Sequence, residues 1–191
     1  MVYMKEYRSS IRSKNMIRQA FIELLAEKDV SKITVVDVVN RADLSRNTFY
    51  AHYTDVYAVL ADIENGFIAE LNQFLDEAIH NEEIYNPLPL LKRIQAFIER
   101  DTKSNRLLLT NKDAAAFCEK LKGMFIARIL DNLDTVNVKD PTGFLIFLEC
   151  VVGGFIGLYQ KSLMGEVDLS LGEITGEVNS VFVYGFRRYL E

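Results

Sequence analysis

A chain of 191 residues holds one compact domain, or a small domain joined to a larger one, and no more than two units. With 49% apolar and 26% charged residues it has ample core material and none of the bias that marks a disordered chain. The net charge of −5 is unevenly spread: residues 1–53 carry nine Lys/Arg against six Asp/Glu, and the remainder carries 13 against 21, so a basic end sits on an acidic body. Such a dipolar chain can turn one face toward phosphates, although ordinary scatter of surface charge explains it equally well. Two distant cysteines, two histidines and the lack of any G-x-S-x-G, H-E-x-x-H or glycine-rich phosphate loop leave no visible nucleophile or zinc site. The chain is therefore expected to be no enzyme and to need no cofactor or metal. The start MVYMKEYRSSIRSK is basic without an apolar run behind it, which predicts a cytoplasmic protein with reduced thiols.

Taken in order, Ile17, Ala20, Phe21, Leu24 and Leu25 repeat at helical spacing behind Ser9 and Ser10, predicting an amphipathic helix over about 10–28 whose outer face carries Arg12, Lys14 and Arg18. Thr34 opens a short helix, with Asp37 as its capping-box partner and Val35, Val38, Val39 and Ala42 as its apolar stripe. Asp43-Leu44 makes a tight break. Ser45 then caps a second short helix running to Tyr53, and Thr54-Asp55 caps a long one reaching to about residue 80. Two short helices with a turn between them form a helix-turn-helix. Beyond Asn86-Pro87, helical runs are predicted near 88–101, 105–111, 113–133, 142–164 and 170–190, with no period-2 segment. The fold class is all-α: a head over 1–54, and a larger helical body over 55–191.

The run FLIFLECVVGGFIGLY, 144–159, is the most hydrophobic stretch. Its 16 residues, with Glu149 among them, fall short of the roughly 20 needed to span a bilayer. The reading is a helix buried in the core or at a subunit interface, with no membrane partner.

Residues Ile33 to Tyr57, ITVVDVVNRADLSRNTFYAHYTDVY, resemble the DNA-binding signature of the TetR family of bacterial transcriptional regulators. The matching positions are Thr34, Val38, Ala42, Leu44, Ser45, Thr48, Phe49, Tyr50, His52 and Tyr53. Three positions depart from the family pattern: Asp43 replaces the turn glycine, Asn47 a glycine or proline, and Val56 a lysine that often contacts phosphate. Asp tolerates the left-handed conformation such a turn needs, at some cost relative to Gly. The resemblance implies a three-helix DNA-binding head, a helical ligand-sensing and dimerisation body, and a transcriptional regulator, most commonly a repressor.

A short helix fits the major groove of double-stranded DNA, and its first turn offers Arg46 to guanine and Asn47 to adenine. Ala51, one turn on, offers at most a methyl contact. Thr34, Ser45, Thr48, Tyr50, His52 and Thr54 are donors of the kind that hold phosphates and set register. Thr34 and Ser45 serve equally as helix caps, while Phe49 and Tyr53 are expected to pack. Basic Lys5, Arg8, Arg12 and Lys14 either extend the footprint or form a solvated face.

Because one helix-turn-helix reads only a few base pairs, a homodimer on a pseudo-palindromic operator is expected. The last two helices offer Phe144, Phe147, Val151, Phe155, Leu158, Ile174, Val178, Val181, Phe182 and Tyr189 for pairing with a twofold mate, or for the chain's own core. The resemblance further implies a small apolar or aromatic effector, for which Phe97, Phe117, Phe125, Arg128, Glu149 and Tyr159 are candidate lining. A helical coactivator or adaptor recruiting a protein partner is the alternative.

Overall fold

The computed structural model describes residues 2–132 and 138–189, with side chains from Ser10 onward except that of Ile84. Among the described residues the fold is all-α: α1 (Val2–Leu25), α2 (Val35–Ala42), α3 (Arg46–Tyr50), α4 (Val56–His80), α5 (Leu88–Arg100), α6 (Thr102–Thr110), α7 (Ala114–Asp131), α8 (Pro141–Met164) and α9 (Leu171–Phe186). Short 3-10 turns lie at Val30–Lys32, Glu83–Tyr85 and Arg187–Tyr189.

Several boundaries differ from the sequence expectation. Helix α1 begins at Val2 rather than near residue 10, because the segment before Ser10 holds neither glycine nor proline and Ser9 and Ser10 are simply carried within the helix. It ends at Leu25, where Ala26 and Lys28 turn their N–H groups back onto Ile22 and Leu24 carbonyls. Helix α3 stops at Tyr50 instead of Tyr53, since His52 N–H tightens onto the Phe49 carbonyl at 2.9 Å. Helix α6 starts earlier than expected, at Thr102, with Asp101 Oδ1 accepting the Ser104 N–H at 3.1 Å.

Two compact units make up the chain: residues through Phe67 together with Asn111–Asp113, and Ile68–Thr110 together with the residues from Ala114. The first unit includes the opening half of α4. Asp62 on that half receives the Lys14 ammonium at 2.9 Å, and Arg18 lies 3.8 Å away, which ties α4 to α1. Ile17, Phe21, Val30, Val38, Phe49 and Val59 are fully buried and form its core.

In the second unit α8 packs against α6, α7 and α9, and α9 against α5. Its core gathers Ile126, Phe144, Leu148, Phe182 and Phe186. Phe144 and Phe182 lie 5.5 and 5.3 Å from Phe186, ring centre to ring centre. A tight α8–α9 approach is possible because Gly185 leaves room for the Phe147 ring. Helix α8 runs to 24 residues, longer than its apolar run of 16, and by length and composition alone it could cross a membrane. Only 22% of its most apolar window is buried within the unit.

Candidate nucleic-acid interface and regulatory surfaces

The motif is assembled by its caps. Thr34 accepts the Asp37 N–H at 3.2 Å while Asp37 accepts the Thr34 N–H at 2.8 Å, completing the capping box that opens α2. Hydrogen bonds from Lys28 and from Thr34 hold the Asp37 carboxyl down at about 2. Helix α2 closes on Asp43 in the left-handed region, φ 52° and ψ 49°, as the missing turn glycine required. Ser45 then accepts the Thr48 N–H at 3.0 Å and starts α3. Asp55 Oδ1 accepts the Ala58 N–H at 2.8 Å and starts α4, so Asp55 rather than Thr54 is that cap.

This scaffold buries Phe49 completely and Tyr53 nearly so, and turns Arg46, Asn47, Tyr50 and Ala51 outward from the same short helix and its exit. Tyr50 is 57% exposed. His52 is half-buried, with its ring centre 6.4 Å from that of Tyr53. Thr54 is exposed, and its hydroxyl reaches Asp55 at 3.5 Å. Thr34 spends its hydroxyl on Asp37 at 2.8 Å, and Ser45 and Thr48 share one hydrogen bond at 2.9 Å, so capping occupies all three in the free protein.

On the outer face of α1, Arg12 is exposed, while the partly exposed Lys14 and Arg18 reach Asp62 of α4. Lys5 and Arg8 lie outside the described side chains. Val56 is buried, so the position belongs to the core in this chain. Tyr57 was not singled out by sequence reasoning, yet it stands 57% exposed in the first turn of α4. Its position outside the stripe formed by Val56, Val59, Leu60 and Ile63 was the available signal.

The effector candidates divide by burial. Phe97, Phe117, Phe125 and Tyr159 are buried in packing; the Tyr159 hydroxyl shares a hydrogen bond with Thr175 at 2.6 Å, and burial pushes the phenol up to about 12. Glu149 is exposed and pairs with Lys122 at 3.3 Å. Arg128 pairs with Asp76 and borders an apolar cleft.

Burial also divides the dimer candidates. Phe144, Phe155, Ile174, Val178 and Phe182 are buried inside the unit and unavailable to a mate, because they fill the contact between α8, α9 and their neighbours. Phe147, Val151, Leu158 and Tyr189 are half-buried. Val181 is 58% exposed, and it is joined by side chains the sequence did not single out, Leu145, Ile146 and Tyr184, the last at 75%.

No protein-family model matches the sequence. An uncharacterised HTH-type transcriptional regulator, YxbF of Bacillus subtilis (strain 168), is 32% identical over 65 residues, a match covering 34% of this chain and 17% of that relative. Among solved structures, a TetR transcriptional regulator from Streptococcus agalactiae 2603V superposes with a TM-score of 0.64 at 22% identity, covering 94% of this chain and 98% of that one. A transcriptional regulator (TerR/AcrR family) from Aquifex aeolicus VF5 gives 0.64 at 20% identity, over 92% and 98%. The dihydroxyacetone kinase operon activator DhaS gives 0.61 at 14% identity, over 94% and 98%. With an N-terminal helix-turn-helix followed by a helical body, this chain has the fold of the TetR-family transcriptional regulators.

Proposed function

We propose that this chain is a cytoplasmic, non-enzymatic transcriptional regulator of the TetR family that binds a pseudo-palindromic operator as a homodimer and represses until a small molecule releases it. The observation that carries the reading is helix α3, which buries Phe49 and exposes Arg46, Asn47 and Tyr50. In this reading Arg46 and Asn47 read base edges, each good bidentate pair discriminating by about 1–3 kcal/mol. Tyr50, His52, Thr54 and the unanticipated Tyr57 hold phosphates, and Ala51 offers a methyl contact. Thr34, Ser45 and Thr48 contribute only if phosphate displaces their capping partners. The head is 1–54 by function, and 55–191 senses and dimerises. Since α4 runs through both compact units, it is the element by which one can act on the other.

A second copy, rather than lipid, is proposed to cover the outer face of α8. Supporting this, Glu149 lies on that exposed surface in mid-helix, where a bilayer would penalise its charge.

The test is a mobility-shift titration of the protein on DNA from upstream of its own gene, across a salt series, repeated with Arg46→Ala and Tyr50→Phe. Affinity should fall as salt rises, Arg46→Ala should relax base preference, and Tyr50→Phe should weaken binding uniformly. No specific retention on any fragment, with a protein partner captured instead, would favour a coactivator or adaptor. The likeness to DhaS, named as an operon activator, and the buried Val56 support that second reading.

A further inference from the structure

Helix α3 has five residues, too few to hold a direction through its own hydrogen bonds. Its direction is therefore set by tertiary contacts. Phe49 anchors it in the core of the head, but an apolar contact is non-directional: it fixes how deep the helix sits and resists rotation about the anchor only weakly. Ser45 and Thr48 bond each other and stay within the segment. Among the described residues, Tyr53 is the one side chain from Ser45 to Tyr53 that hydrogen-bonds to another helix, and its acceptor is Asp62 Oδ2 of α4 at 2.8 Å.

That acceptor is itself held. Lys14 of α1 donates to Asp62 Oδ1 at 2.9 Å, which leaves Oδ2 to Tyr53, and Arg18 Nε lies 3.8 Å from Oδ2. The Lys14 ammonium also stands 5.8 Å from the centre of the Tyr53 ring, so one cation steadies both ends of the bond. One turn further along α4, Gly66 leaves space for Arg18: a Cβ there would lie 3.1 Å from a terminal guanidinium nitrogen. Partial burial disfavours the Asp62 charge, yet the bonds from Lys14 and Tyr53 outweigh it and hold the carboxyl below its ordinary value. Helix α1, the exit of α3 and α4 thus meet on one carboxylate inside the first compact unit.

A bidentate pair with a base edge is demanding in direction, and a shift of roughly 0.5 Å or a rotation of about 10–20° spoils it. Phosphate contacts set register without reading sequence. We propose that Asp62 is a positioning residue for base reading: through Tyr53 it sets the direction in which α3 presents Arg46 and Asn47, and so sets specificity more than affinity. The role rests on the proposed DNA binding, in which Asp62 acts through Tyr53 and not by touching DNA.

The test is a ratio of affinities, for the upstream fragment that the wild type retains and for the same fragment with its half-sites scrambled. It is measured by fluorescence anisotropy at fixed salt, at a temperature where circular dichroism finds every variant folded. Tyr53→Phe removes the bond without changing charge. The ratio should fall about tenfold, the scale of one spoiled bidentate pair, while affinity for the scrambled fragment and the salt slope keep their wild-type values. A merely structural bond, once broken, would lower the active fraction equally on both fragments and leave the ratio unmoved. Asp62→Ala and Asp62→Asn remove the same charge and differ in whether Tyr53 keeps an oxygen to bond. The Asn variant should retain most of the ratio and the Ala variant lose it, and adding Tyr53→Phe to Asp62→Ala should cost nothing further. Residual dipolar couplings of the free protein read the direction of α3 without DNA: in Tyr53→Phe they should change for Arg46–Tyr50 and hold for Val35–Ala42. An unchanged ratio in Tyr53→Phe, equal losses in Asp62→Ala and Asp62→Asn, or unchanged couplings would each overturn the role. A wild type that retains no fragment specifically sinks the regulator reading and this role with it, whereas a Tyr53→Phe variant that discriminates as well as a DNA-binding wild type sinks the role alone.

Discussion

Tyr53 donates its hydroxyl hydrogen to Asp62 Oδ2 at 2.8 Å, fastening the turn that follows α3 to α4. Burial and this bond push the Tyr53 phenol above its ordinary value, so it remains a donor at any working pH. The same carboxylate receives Lys14 at 2.9 Å, which joins α1, the turn and α4 at one point. Tyr53→Phe keeps the ring against Phe49 and deletes only the bond. It should lower the urea midpoint by the equivalent of about 1 kcal/mol with the slope unchanged. An unchanged midpoint would mean that water serves Asp62 equally well.

Acid should loosen the head at α2. The Asp37 carboxyl is held at about 2 by its hydrogen bonds from Lys28 and Thr34, below its ordinary 3.8. The folded state therefore binds this proton less readily than the unfolded chain does. Its contribution to stability is complete above the ordinary value and drains away as pH falls from about 4 through about 2. Thermal unfolding of the wild type and Asp37→Asn should differ at neutral pH and converge across that window. A difference that stays constant down to the bottom of the window would show that the carboxylate's charge is not what α2 uses.

The helices were legible because each carries its signal in adjacent residues. Thr34 and Asp37 are three apart and bond each other, and Ser45 and Thr48 repeat the arrangement, so local chemistry sets both starts. Asp43 was readable from its neighbours only as a tight break, and its left-handed conformation followed from the resemblance, which puts a turn glycine there. What could not be read depends on distant partners. Lys14 reads as an outer-face lysine, and nothing near it in the sequence announces its ion pair with Asp62, 48 residues away. Phe144 and Ile146 are equally apolar, and only the packing of α9 and α7 decides that the first is buried and the second exposed.

Gly185 is a further position where packing rather than turn chemistry fixes the residue. A Cβ there would overlap the Phe147 ring, and Phe147 is itself wedged 5.7 Å from Phe182 and 5.5 Å from Tyr189, ring centre to ring centre. Gly185→Ala should improve helix propensity yet destabilise the chain, overpacking costing about 1–3 kcal/mol. Differential scanning calorimetry reads the sign directly. A raised Tm would mean that the α8–α9 seam opens freely enough to accept the methyl group.

The proposed dimer separates cleanly from the monomer core by where charge is introduced. Ile146 is 61% exposed and Val181 58%, so Ile146→Glu and Val181→Glu place a carboxylate in water as long as the chain is alone. At a twofold seam the same carboxylates face each other's copies in an apolar contact and are desolvated without partners. Light scattering should find the double variant monomeric at concentrations where the wild type is dimeric, with helical content retained by circular dichroism. Operator affinity should fall with it, because one head then holds only a half-site. Phe144→Ala gives the contrast: that ring is 1% exposed, and its removal should cost about 3–5 kcal/mol of stability whatever the oligomeric state. A double variant that stays dimeric would place the twofold seam on another face.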